Sequence, residues 1–319
     1  MSFTSVIKNN FSQSGVDLRI HLNFGLIDTK DNRSILTKIK DIVLTIFNEI
    51  CILFNKFISR LYAKITKQRY LTPVLNTVDG KYHYPDADLP WSKDEESKGL
   101  FLCLHGLHGH PSDFQKYATK HRQENQGAHV CVPFIAKSGN CALKISGDPV
   151  LELVEKYLEK FPGNPVTIIG TSNGGRIAQY VESRLDHEMV NQLSVVTLAG
   201  LHFGTTFIAF LERLRLLWIP CLDSELTKEF RWNSPMAQAE LKLWSDKQKI
   251  WDDQDKKVRH LFCATTNDEH VWTNSSSLPY SQHSTHSYSV YSGQSHSSIV
   301  PYALPEVFKW LTLGCHKSN

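Results

Sequence analysis

Val166-Thr-Ile-Ile-Gly170-Thr171-Ser172-Asn173-Gly174-Gly175-Arg-Ile-Ala178 is the stretch on which the reading of this chain turns. Val166, Ile168 and Ile169 form a β-branched apolar run, the pattern of a buried strand. Ile177, Ala178, Tyr180, Val181 and Leu185 then recur at helical spacing. Between them lies Gly-x-Ser-x-Gly. A serine on a sharp strand-to-helix turn holds its hydroxyl clear of the sheet. Gly170 and Gly174 are then small because helix and neighbouring strand pass close by. The helix N-terminus beneath the serine offers N–H groups with no intrahelical partner, suited to a developing oxyanion. The pentapeptide alone is weak, since Gly and Ser at ~7% each produce it about once in ten chains of this length. The rest of the chain must supply partners.

The 319 residues are enough for one large domain or two small ones, and 41% hydrophobic content suits a globular chain with a real core. A formal charge of +3 is too small to argue for nucleic acid as a partner. The 7 cysteines are scattered, several within apolar runs, and read as reduced core residues rather than a disulfide framework. The first thirty residues are polar, so no Sec-type signal peptide is visible and a cytoplasmic location is expected, other export signals being left open.

Residues 1–33 are polar and turn-rich, an expected loosely ordered segment. Residues 34–70 read as one long amphipathic helix, from Ile35 to Ile65 in three- and four-residue steps. Its polar face carries Lys38, Lys40, Lys56, Arg60, Lys64, Lys67 and Arg69 against Asp41 and Glu49. The expectation is packing on the catalytic domain or on a second copy, with peripheral membrane contact through residues 35–69 as the sharper alternative. Asn48, Glu49, Asn55 and Lys56 break the apolar run, against a transmembrane span. Residues 71–98, with Pro73, Asp79-Gly80, Pro85, Pro90 and a charged cluster, read as a linker.

From residue 99 to 319 apolar strands alternate with helices, which implies a mostly parallel sheet flanked by helices, with catalytic groups at the strands' carboxyl ends. One helix is expected to open at Asp148-Pro149, and the last, from about Ser298, to be interrupted by Pro301 and Pro305. Between about residues 202 and 255 lies a helical stretch with exposed-looking aromatics, including Trp232, Trp244 and Trp251. It is longer than a crossover requires and reads as a cap or lid.

A serine hydroxyl needs an imidazole base, and that imidazole needs a carboxylate to fix its tautomer. His296 follows the last strand and Asp268 the strand before it, so Ser172, Asp268 and His296 occur in the order expected when all three sit on loops at one sheet edge. Glu269 and Asp223 compete as the acid; His270, His283 and His286 compete as the base. The oxyanion donors are expected from the N–H groups of Leu107, after the His105-Gly106 that ends the first strand, and Asn173, the turn mattering more than its side chains. A metal reading of His105, His108 and His110 is set aside because no acidic partner completes a ligand set. No cofactor is called for.

With these motifs on the page, residues 99–315 resemble an α/β-hydrolase of the lipase/esterase kind. Besides Gly170-Thr-Ser172-Asn-Gly174-Gly, the chain has an oxyanion turn His105-Gly106-Leu107-His108-Gly109 and Ala199-Gly-Leu-His-Phe-Gly-Thr205, similar to the turn preceding a lipase lid. Asp268-Glu-His-Val271 and Gly293-Gln-Ser-His296 are similar to the acid and histidine loops. Leu201 stands where the family often has Pro, and the amphipathic N-terminal segment lies outside the resemblance. The resemblance implies ester cleavage through an acyl-enzyme on Ser172, with a lipid or acyl-chain ester as substrate. Acyl transfer from the same intermediate, or a catalytically silent fold used for binding, are the alternatives. Head group, acyl length and oligomeric state are not readable from the sequence.

Overall fold

The computed structural model describes residues 16–21, 26–31, 77–78, 81–82, 96–125, 127–213, 223–254, 256–266, 268, 270–271, 277–279, 285–291 and 294–315. The amphipathic segment 34–70 lies outside them. Within 1–33, where loose order was expected, β1 (Val16–His21) and β2 (Leu26–Asp31) pair antiparallel. Val16, Leu18 and Ile20 alternate with polar residues, the strand period that a polar composition obscures. Short strands β3 (Thr77–Val78) and β4 (Lys81–Tyr82) pair on either side of Asp79-Gly80.

The domain is built on β5 (Leu100–Leu104), β6 (His129–Cys131), β7 (Val166–Thr171), β8 (Gln192–Leu198), β9 (Lys257–Thr265) and β10 (His286–Tyr291). They form one sheet in the order β10-β9-β8-β7-β5-β6, every pair parallel. Its central strands are apolar on both faces because helices cover both. Leu100, Leu102, Leu104, Ile168 and Val195 face one core with Tyr157, Ile177 and Trp251. Phe101, Cys103, Ile169, Val196 and Leu261 face the other with Tyr117 and Phe308. Burial pushes the Cys131 thiol up to about 12, and raises Cys103 and Cys263 as well, so these core cysteines stay protonated.

The helices are α1 (Gln115–Glu124), α2 (Leu143–Lys160), α3 (Asn173–Arg184), α4 (Thr206–Arg213), α5 (Ser224–Phe230), α6 (Pro235–Asp253) and α7 (Ile299–Cys315). No helix among the described residues is long and apolar enough to cross a membrane.

Three expectations are corrected here. α2 begins at Leu143, seven residues before the expected Val150, and carries Pro149 inside. Gly147 makes that course possible, since a Cβ there would sit 2.4 Å from the Tyr180 ring. α7 runs unbroken through both prolines: Pro301 falls in its first turn, where no N–H partner is required, and Pro305 costs one ladder bond. Finally, α6 is a layer helix and not part of a cap. Trp251 enters the main core, and Trp244 Nε1 donates to Glu182 Oε2 of α3 at 2.8 Å. Arg184 and Glu240 pair at 2.7 Å across the same seam. Trp244 and Trp251, which look exposed in the sequence, are 2% and 1% exposed, because α6 is the crossover helix between β8 and β9; Trp232, before α6, is half-buried. Among the described residues, α4 and α5 remain to pack at the sheet's carboxyl edge, against Leu107, Leu201 and Val271.

Candidate active site

The strand order reverses between β5 and β7. In an open parallel sheet that is where a crevice forms outside the carboxyl ends. Both strands end there in turns that the sequence singled out. Ser172 follows β7 with φ 53° and ψ −121°, a conformation costly for a residue with a Cβ. The neighbouring glycines are required by contact. A Cβ on Gly170 would lie 2.2 Å from Gly174 O, one on Gly174 2.1 Å from Leu104 O, and one on Gly106 2.9 Å from Ser172 Cβ. Three backbone segments are thus pressed together beneath one hydroxyl.

The other two predicted residues arrive from β9 and β10. Asp268 accepts the N–H groups of His270 and Val271 on Oδ1, at 2.9 and 2.6 Å. Its Oδ2 accepts His296 Nδ1–H at 2.8 Å. A carboxylate can only accept, so this contact places the proton on Nδ1 and leaves Nε2 as the basic nitrogen. The loops carrying the two residues are tied together, Thr265 Oγ1 donating to Gln294 O. Ser295 and Ser298 cap each other's backbone N–H groups around His296, at 2.7 and 3.1 Å.

Ser172 and His296 line a single cavity of about 830 Å³, together with Gly106 and Leu107. Asn173 is the first residue of α3, directly behind the serine. The structure therefore brings Ser172, Asp268, His296, Gly106, Leu107, Asn173, Gly170 and Gly174 to one rim. Of the described competitors, Asp223 and His286 fall elsewhere, while His270 lies beside His296. Asp223 caps α5 by accepting Glu225 N–H at 2.9 Å. His286 stacks on Trp244 with ring centroids 5.4 Å apart. His270 stands edge-on to His296 at 5.1 Å and donates its backbone N–H to Asp268. Glu269 and His283 lie outside the described residues.

Some contributors were missed. The side chains of the oxyanion turn do matter. His105 donates from Nδ1 to Gly106 O at 2.9 Å and accepts Ile135 N–H on Nε2 at 3.1 Å. With both nitrogens engaged the ring is a neutral clamp on the turn, not a metal ligand. Burial lowers its pKa to about 4.

The loop it grips, Ile135 to Leu143, carries three consecutive left-handed residues, Lys137 (φ 47°), Ser138 (φ 53°) and Gly139 (φ 78°). Ser138 O accepts His108 N–H at 2.8 Å, and Gly139 O accepts Asn173 Nδ2–H at 3.0 Å. The loop thus braces the oxyanion turn and the serine turn together. It also holds the cap: Asn140 Oδ1 accepts Asp223 N–H at 2.8 Å, and Leu143 N–H donates to Glu229 Oε2 at 3.0 Å. Glu229 pairs at 3.0 Å with Arg176 of α3, both buried. Leu201, Ile208, Leu226, Phe230 and Val271 form the cap's small core, with Leu107 packed against it. Ser138-Gly139-Asn140 is a turn signal in the sequence, but nothing there says which carbonyls it aims at the site.

No protein-family model and no curated protein matches the chain. Among solved structures it is similar to Est1E from Butyrivibrio proteoclasticus, at 16% identity and TM-score 0.48, over 70% of this chain and 91% of that one. It is similar to a monoacylglycerol lipase from Paleococcus ferrophilus at 12% identity and TM-score 0.43, over 69% and 96% of the two chains. MenH from S. aureus matches at 14% identity and TM-score 0.40, over 70% and 97%. The parallel sheet, its helical layers and the strained Ser172 turn at the end of β7 define an α/β-hydrolase fold on their own terms.

Proposed function

We propose that the chain is a serine hydrolase of carboxylic esters. One observation carries the reading: Ser172, on a turn held at φ 53°, opens onto the same cavity as an imidazole whose far nitrogen is fixed by Asp268 at 2.8 Å. Ser172 Oγ attacks the ester carbonyl while His296 Nε2 takes its proton. The N–H groups of Leu107 and Asn173 hold the oxygen that becomes negative. His296 then returns the proton to the leaving alcohol, and water repeats the sequence in reverse to free the acid. Asp268 orients the imidazole and stabilises its charged form without itself taking the proton. Exposures of 7%, 9% and 8% for Ser172, Asp268 and His296 keep these charges in a water-poor setting, where they interact strongly.

The test is labelling by a fluorophosphonate probe, followed by turnover of short 4-nitrophenyl esters. Labelling should map to Ser172. Ser172→Ala should lose at least roughly a thousandfold in kcat/KM with the fold intact, and Asp268→Asn, which favours the wrong tautomer, should lose about as much. Turnover retained in Ser172→Ala would refute the reading. For residues 35–69 the proposal is packing on the catalytic domain or on a second copy, with peripheral contact with an anionic membrane as the alternative, tested by liposome flotation of the full chain against one starting near Leu71. Equal flotation would refute the membrane alternative.

A further inference from the structure

One wall of the cavity that Ser172 and His296 line is formed by α1. Lys116, Thr119, Lys120 and Gln123 all line the cavity. Their spacing of three and four residues puts them in one stripe along the helix. The helix is anchored by its other side: Tyr117 and Ala118 are buried, and the His121 ring stacks on Phe101 at 3.8 Å. The stripe is therefore held over the cavity by packing beneath it.

We propose that the ester taken by this site carries a negatively charged group, a carboxylate or a phosphate, seated along the Lys116–Lys120 stripe. The inference rests on the hydrolase reading and adds the substrate's class to it. A cavity built only for an acyl chain gains nothing from ammonium groups. An anion exchanges water there for charge-assisted contacts and is drawn toward the mouth before it binds.

The opposing charges are accounted for. Asp113 is the one carboxylate among the lining residues, and its Oδ2 already accepts His110 N–H at 3.0 Å. Lys120 Nζ forms an i,i+4 ion pair with Glu124 at 3.6 Å, both side chains solvent-accessible, a weak pair that an anion in the cavity would share; Glu124 itself lies outside the lining. Lys120 Nζ also lies over the Phe308 ring, 4.8 Å from its centroid, a cation–π contact that holds the partly exposed ammonium in place. Lys116 is exposed.

The test uses soluble substrate pairs that differ by one added anionic group: 4-nitrophenyl butyrate against 4-nitrophenyl monoglutarate, and monohexanoylglycerol against its 3-phosphate. Wild type is compared with Lys116→Gln/Lys120→Gln. Lys144→Gln is the control, losing an exposed charge outside the lining. In the double variant the kcat/KM ratio of charged over neutral ester should fall roughly tenfold, the size of two partly screened contacts, and rising salt should erode the wild-type ratio toward that value. A fall in the glutarate pair alone assigns a carboxylate, and in the glycerol pair alone a phosphate. An unchanged ratio, or an equal change in Lys144→Gln, would overturn the inference and leave the hydrolase reading standing. Turnover persisting in Ser172→Ala would remove both.

Discussion

Glu229→Gln tests how the cap is fastened. Glu229 in α5 and Arg176 in α3 stand 3.0 Å apart at 2% and 3% side-chain exposure. Burial lowers the Arg176 pKa below its ordinary value, and the Glu229 charge opposes that shift only in part. Removing one member of such a pair leaves the other's charge buried without its counter-ion, a cost of about 3–5 kcal/mol. The Gln oxygen can still accept Leu143 N–H, now at 3.0 Å from Glu229 Oε2, so the substitution isolates the charge. For a domain of this size, 1 kcal/mol moves Tm by about 2–4 °C, so a drop on the order of 10 °C is expected. Arg176→Met should cost a similar amount. The double variant, with no orphaned charge, should recover most of it, a coupling energy of about 3 kcal/mol by urea denaturation. Single effects that simply add, or a Glu229→Gln cost below about 1 kcal/mol, would refute the claim that this pair carries the attachment.

Other consequences follow from contacts already described. Gly174→Ala puts a methyl 2.1 Å from Leu104 O and 2.8 Å from His105 O, both backbone, so the serine turn must shift. Fluorophosphonate labelling should drop at least roughly tenfold with about 1–3 kcal/mol lost, and normal labelling would contradict the geometry. His105 and His202 are held neutral by burial, at about 4 and about 3 against an ordinary 6.5. As pH falls below 6.5 the unfolded chain binds protons that the folded one refuses, so stability is full above that value and drains away toward pH 4. His105 alone accounts for up to about 3 kcal/mol, and His105→Gln should flatten the pH profile of Tm there; an unaltered slope would count against a neutral clamp. Trp244→Phe removes the donor to Glu182 Oε2 in a buried knot that also takes Gln248 and His260. It should cost about 1–3 kcal/mol with catalysis unaffected, and a smaller loss would mean another donor takes over.

What was legible in the sequence follows the strength of local signals. The run at Leu100–Leu104 is apolar and buried at every position, and Val166, Ile168 and Ile169 repeat the pattern in β7, which a doubly covered strand needs. Gly170 and Gly174 are dictated by contacts under 2.5 Å, so the turn writes itself into the chain. Asp268 and His296 were readable because each stands a few residues past a strand end. α6 misled because apolar spacing on a helix is the same whether it faces a cap's interior or a sheet; only its contacts with α3 decide. Pro149 and Pro305 misled because a long, well-packed helix absorbs one missing bond. The left-handed run at Lys137–Gly139 has no composition that announces it, since only Gly139 is a residue that favours such angles. The stripe on α1 was not singled out in the sequence, because which face of that helix meets the cavity belongs to the fold.

The loop from Ile135 to Leu143 sets a rule for anyone wishing to re-engineer this chain. Its carbonyls steady the turn that carries Leu107, its Asn140 and Leu143 fasten the cover, and its backbone is wound the unfavourable way in between. A transplant that swaps residues 206–230 for another cover, seeking a new substrate, strips Asp223 and Glu229 from that brace at the same stroke. The portable unit is therefore the cover together with its brace, and chimeras should be cut before Ile135 and after Leu143 as well as around the cover itself.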